Sequence, residues 1–175
     1  MTPQEYYSNL QELISASSKE LAKQAIVPAA NELLAEIKNR IQRDGKNSSG
    51  SDIGNYSTKQ AYFGREAFDK KSSFKPPAGK KTMKLPQGYK ELRSIQGKPV
   101  DKVNETYTGS TMAAYQLQAK ETEVVIGFTT EKSSLIRKGQ EAKKGEIFTA
   151  TPIELADYNK NVVTAARELT MQLLR

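Results

Sequence analysis

The sequence predicts an α+β protein in which long N-terminal and C-terminal amphipathic helices pack on a small antiparallel sheet, with a long extended basic loop or arm. Three observations carry that expectation. Both ends open on the same helix-starting signal and continue at helical spacing. Residues 122–128 alternate as a strand does, and between about 46 and 84 neither period is present.

The first helix starts at Thr2-Pro3-Gln4-Glu5, a hydroxyl N-cap with proline at the first helical position and a carboxylate three residues after the cap. Leu10, Leu13, Ile14, Leu21 and Ala25 follow at roughly helical spacing. Pro28 removes a backbone donor and crowds the preceding turn, so a kink or break is expected there. Ala30, Leu33, Leu34, Ile37 and Ile41 then share a face up to Asp44-Gly45, where glycine suits a left-handed C-cap. Residues 1–45 therefore read as one helical unit, kinked near Pro28.

Residues 46–87 read as an extended basic arm. Gly, Ser, Asn, Pro and Lys dominate, and Ile53, Tyr56, Tyr62, Phe63, Phe68 and Phe74 stand isolated. Such a composition does not offset its own ordering entropy by burial, so the arm is expected to order against a partner. Between Lys59 and Lys98 there are eleven basic residues against three acids, which nets +8 and leaves −1 for the rest of a chain whose total is +7.

Residues 88–150 are expected to form a hairpin-containing core. Gly88 to Ile95 places Tyr89, Leu92 and Ile95 at helical spacing and closes at Gly97. The stretch Asn104-Glu-Thr-Tyr-Thr-Gly-Ser-Thr111 then opens a strand from its turn at Thr108, Gly109 and Ser110, with alternation from Met112 to Ala119. A loop at 119–121 leads to the second strand, where Val124, Ile126 and Phe128 share a face. Glu131 to Lys144 reads as a polar helix around Leu135 and Ile136. The final helix, 151–175, begins with a second capping box at Thr151-Pro152-Ile153-Glu154 and carries Leu155, Val162, Ala166, Leu169 and Leu173 on one stripe. The whole reads as a single domain, 1–175.

The chain has 175 residues, 37% of them hydrophobic, and contains neither Cys nor His; its mean hydropathy is −0.66. Disulfides, thiolate chemistry, imidazole acid–base catalysis and the usual zinc ligand sets are excluded. No glycine-rich phosphate loop occurs. Ser133-Ser134 with Lys138 reads as a helix start with exposed hydroxyls rather than as a nucleophile and base, and Glu121, Glu123, Glu141 and Glu146 lack partners at metal spacing. The N-terminus lacks the pattern of a signal peptide, and no apolar run reaches the roughly 18 residues that span a bilayer. The expectation is a soluble protein without catalytic, cofactor or metal site and without a membrane partner.

Two readings of the arm stay open. Tyr56, Tyr62, Phe63, Phe68 and Phe74 suit a subunit or partner contact, with Arg65, Lys70, Lys71, Lys75, Lys80, Lys81 and Lys84 clamping an acidic neighbour. Alternatively, lysines interleaved with aromatics over 59–98 suit a nucleic-acid-binding module, through counterion release and base stacking.

The order of parts also resembles a known family. The loop SGSDIGNYSTKQAYFGREAF (49–68), then GYKELRSIQGKPVDKVNETYTGSTM (88–112), a hairpin ending in VVIGFTTE (124–131), a short helix and the Thr-Pro-Ile-Glu-started last helix are similar to the tail-completion or virion-morphogenesis proteins of tailed bacteriophages. The version most resembled is that of phages and prophages of Bacteroidetes. There a segment like Gly88–Arg93 leads to a Thr-Gly or Ser-Gly turn before a strand, as at Val103–Ser110, and a glycine ends the next strand, as Gly127 does. The chain departs from the family where Lys144-Gly-Glu-Ile-Phe-Thr149 stands in place of a basic segment before the last helix. The resemblance implies a non-enzymatic virion protein at the head–tail junction, assembled in the host bacterial cytoplasm. It would form a homo-oligomeric ring against connector, terminator or tail-tube proteins, with possible contact to packaged DNA. The arm would then be separable, so that deleting 46–84 leaves a folded core.

Overall fold

The computed structural model describes residues 3–68, 74, 76–103, 110–120 and 123–173, with side chains described between 19 and 172. The fold is α+β, as the helical and alternating periods predict. In chain order the described elements are α1 (Pro3–Asn39), a π-helical turn (Arg40–Asp44), β1 (Ala61–Gly64), a 3-10 turn (Arg65–Ala67), β2 (Thr82–Leu85), α2 (Gly88–Ile95), α3 (Ser110–Ala114), β3 (Tyr115–Ala119), β4 (Val124–Phe128), α4 (Glu131–Lys144) and α5 (Pro152–Leu173). The strands form two separate antiparallel hairpins, β1–β2 and β3–β4.

α1 stays helical through Pro28, where a kink or break was expected. Pro28 lies on the exposed side, while Ala25, Ala29 and Ala30 beside it are buried. At 1.5 Å per residue, α1 is about 55 Å long. Gly45 ends the helical run at φ +66°, its N–H reaching the Arg40 carbonyl, as a left-handed glycine cap should.

The larger core lies between the C-terminal half of α1, the β3–β4 hairpin and residues 147–148. Ile37, Ile41, Ile147 and Leu34 meet Tyr115, Met112 and Val103 there. Tyr115, Phe128 and Phe148 form an aromatic trio with centroids 4.9–5.3 Å apart, and the Tyr115 hydroxyl donates to the Phe148 carbonyl at 2.6 Å. Burial pushes the Tyr115 phenol up to about 12. Strand register pairs Tyr115 with Phe128 and Leu117 with Ile126, so the alternation read from the sequence does place Ile126 and Phe128 on one face.

The first strand of that hairpin begins later than expected. Ser110 opens a helical turn, Ser110–Ala114, and the strand starts at Tyr115. Met112 and Ala114 are both buried. Thr108 and Gly109 lie outside the described residues.

The described residues of the segment 46–87 do not form an unstructured arm. Asn47 organises its start: its Oδ1 accepts from Ser49 N (3.1 Å), Ser51 N (3.0 Å) and Ser49 Oγ (2.8 Å), and its Nδ2 donates to the Lys144 carbonyl at 3.3 Å. Ser48 donates twice to the Glu146 carbonyl, and Lys46 pairs with Asp52 at 2.7 Å. These bonds deliver Ile53 into the larger core, 2% exposed. Further on, β1 and β2 pair and pack on α2 around a second core of Phe68, Leu85 and Leu92. The composition looked too polar to order itself. The polar residues are, however, the ones that satisfy the loop's backbone.

α1 and α5 run antiparallel. Arg40 at the end of α1 meets Glu154 at the start of α5, and Glu32 accepts from Asn161 Nδ2 at 2.7 Å further along. Arg40 donates through Nε to Glu154 Oε1 (2.9 Å), through Nη1 to the carbonyls of Lys46 (3.0 Å) and Ile147 (3.2 Å), and through Nη2 to that of Thr149 (2.8 Å). Glu154 also closes the predicted capping box, accepting from Thr151 N at 2.7 Å while Thr151 Oγ1 accepts from Glu154 N at 3.1 Å. Beside this pair, desolvation and then the charges of Asp157, Glu154 and Glu32 hold the Glu36 carboxyl above its ordinary range.

Candidate functional site

The five aromatics expected to meet a partner divide into two groups. Phe68 is buried in the second core. Phe63 packs against that core and against Tyr89, with ring centroids 6.5 Å apart. Tyr56 sits between Tyr89, 5.6 Å away, and the guanidinium of Arg93, 4.4 Å from its ring centroid. These three hold the molecule itself together, so the sequence reading is corrected for them. Tyr62 and Phe74 are the two that face solvent.

The strand register explains why Tyr62 differs from Phe63. In β1, Ala61 and Phe63 point toward α2 and pair with Leu85 and Met83 of β2. Tyr62 points the other way, directly across from Lys84. The hairpin is held tightly on α2 because Gly88, at φ +55°, leaves no room for a Cβ beside the Lys59 carbonyl. Lys90 N also donates to the Ser57 carbonyl at 3.1 Å.

Of the basic residues, Arg65, Lys80, Lys81 and Lys84 are exposed, and Lys70, Lys71 and Lys75 lie outside the described residues. Arg65, Lys80 and Lys81 line an open groove of about 510 Å³ with Glu66 and Gly79. Among the described residues no ion pair ties any of these four cations to a carboxylate, whereas Lys46, Arg40, Lys120 and Arg137 elsewhere are all paired. Arg93, counted from the sequence among the charges of the 59–98 stretch, is 1% exposed and donates through Nε to the Pro99 carbonyl at 3.0 Å. It is a core cation and contributes nothing to the basic surface.

A second surface exposes several apolar side chains. The residues of α5 that are covered are Glu154, buried, and Tyr158, Asn161, Val162, Ala165 and Leu169, half-buried. Of the predicted stripe, Val162 and Leu169 lie on that covered line, while the line as a whole is rotated by less than one residue's 100° away from Leu155 and Ala166. Leu155 and Ala166 of that stripe are exposed, together with Ile153, Val163 and Met171. α4 likewise exposes Leu135 and Ile136, which were expected to be its inward residues. Its inward contact is instead made by Ser133, buried, whose N–H and hydroxyl both engage Thr130 Oγ1. This serine was expected to be exposed.

Glu141, read as an acid without partners, accepts from Ile147 N (3.1 Å) and Phe148 N (3.2 Å) and so fixes the turn into the larger core. Among the described residues no three or more carboxylates gather as a metal cluster, and no helix is long and apolar enough to cross a membrane. No family model, curated protein or solved structure matches this chain. The residues that sequence reasoning missed, Arg40, Arg93 and Asn47, act through long-range contacts. Asn47 had a local signal in the Asn-Ser-Ser-Gly-Ser-Asp run, whose residue types favour side-chain-to-backbone turns.

Proposed function

We propose that this chain is a structural virion protein of a tailed phage, a tail-completion or neck ring subunit at the head–tail junction that acts by oligomeric assembly. Its place would be the neck or upper tail, with connector, terminator or tail-tube proteins as neighbours, and its role requires no catalytic step.

The observation that carries the reading is the set of exposed apolar side chains along α5. Ile153, Leu155, Val163 and Met171 are all more than 40% exposed on a helix rigidly clamped at its start by Arg40. Exposed apolar side chains on a fixed element are what a subunit interface can use, since association costs less when the contacting residues are already ordered. A second copy or a neck neighbour seated there would build a ring by head-to-tail contact. The length of α1 adds to this: it continues 16 residues beyond Lys19 toward Pro3, about 24 Å further.

The test is genetic complementation in a phage carrying this gene. Without the gene, filled heads and finished tails are expected to accumulate unjoined, and purified protein should restore joining in extracts. Infectious particles formed at the usual yield without the gene would refute the reading.

A further inference from the structure

We propose that the outer face of the β1–β2 hairpin binds single-stranded nucleic acid, with Tyr62 as the base-stacking platform and Lys84, Lys81, Lys80 and Arg65 as the phosphate contacts. This site is separate from the exposed apolar side chains of α5 and would serve equally in a ring subunit or in a free protein.

Four observations converge on it. Tyr62 is 64% exposed although it stands in the middle of a paired strand whose alternate residues are turned inward. A large aromatic presented to solvent by a fixed backbone stacks a base with little ordering cost, and stacking tolerates every base because each has a π face. Lys84 is its direct cross-strand neighbour, at a separation of the kind that lets a stacked base and its phosphate be held together. The groove past the end of the strands continues the positive surface with Arg65, Lys80 and Lys81.

The charges there are available. No described carboxylate pairs with the four cations, and Glu66, the one acid among the described residues that line the groove, folds its carboxylate back against Gly64, in the space a Cβ would take. Among the described residues the surface therefore presents four cations against one acid, Lys84 across from Tyr62 and Arg65, Lys80 and Lys81 at the groove. A single-stranded nucleic acid uses both parts of the surface, the cations for its phosphates and the ring for its bases.

The experiment is fluorescence anisotropy of a labelled oligothymidylate titrated with the full-length protein over a range of salt. Binding is expected at low salt, weakening steeply as salt rises. Tyr62→Ala should weaken it by about 5- to 150-fold, the range that removal of one stacked base implies, and Tyr62→Phe should leave it nearly unchanged. Lys80→Ala/Lys81→Ala/Lys84→Ala should lower the slope of log K against log salt by about 2, at about 0.7 for each phosphate no longer neutralised. Tyr62 and the lysines are exposed, so unchanged thermal unfolding serves as the folding control. Absence of binding at low salt would overturn the proposal. So would binding indifferent to Tyr62→Ala, or equal binding of labelled polyglutamate, which would assign the surface to acidic protein.

Discussion

Arg40 and Glu154, 114 positions apart in sequence, meet at 2.9 Å with about one tenth of each side chain exposed, and their contact joins the end of α1 to the start of α5. The guanidinium uses its remaining donors on three backbone carbonyls, Lys46, Ile147 and Thr149. One side chain thus ties the first helix to the loop that follows it, to the segment before the last helix and to that helix's cap.

Removing Arg40 leaves a buried carboxylate and three carbonyls without their donor. Arg40→Ala is expected to cost about 3–5 kcal/mol in urea denaturation. Arg40→Lys should recover little of it, because a single ammonium cannot reproduce the planar fork. Glu154→Gln keeps the cap geometry and should cost less, about 1–2 kcal/mol.

Tyr115 makes stability fall at high pH. Its phenol titrates near 10 when unfolded and near 12 in the fold, so its contribution is complete below pH 10 and is lost as pH rises through 12. The loss amounts to about 2–3 kcal/mol over that window, at about 1.4 kcal/mol per pH unit. Tyr115→Phe should flatten the stability profile between pH 10 and 12. At neutral pH it should cost about 1–3 kcal/mol, because the Phe148 carbonyl loses its donor. A profile identical in the two proteins would contradict this assignment.

Much of this fold was legible in the sequence, for physical reasons that differ by element. The capping box at Thr151–Glu154, the glycine cap at Gly45, helices α2 and α4, and the face shared by Val124, Ile126 and Phe128 all depend on neighbours a few residues apart. Pattern reading reaches that far. The ordering of 46–87 was not legible, because Ile53 and Phe68 are buried by partners far along the chain and the loop is held by Asn47 to Lys144. The same limit applies to the candidate site. Lysine and aromatic content marked the right stretch, but only strand register separates Tyr62, which faces water, from Phe63, which faces α2.

The built-in order of 46–87 changes what deletion does. Removing 46–84 takes away Ile53 and Phe68 and the Lys46 carbonyl held by Arg40, so the remainder is expected to lose cooperative unfolding rather than survive as a folded core. Ile53→Ala alone should cost about 2–5 kcal/mol. Circular dichroism and thermal melts of both variants check this, and a deletion protein with a sharp native-like transition would contradict it.

Gly88 offers a local check on the hairpin's seat. At φ +55° and against the Lys59 carbonyl, Gly88→Ala meets both backbone strain and a clash. The expected cost is at least about 1–3 kcal/mol. Hydrogen exchange should show the loss first in β1, β2 and α2, and uniform protection across the chain would speak against it.

The central claim, assembly through the exposed apolar side chains of α5, is tested most directly by mass in solution. Light scattering of the wild-type chain across a concentration series should give a multiple of the 19.4 kDa subunit. Leu155→Asp/Val163→Asp should reduce it to the single-subunit mass without changing the melting transition. A wild-type protein that stays monomeric throughout, or an oligomer that the two aspartates leave intact, would contradict the account.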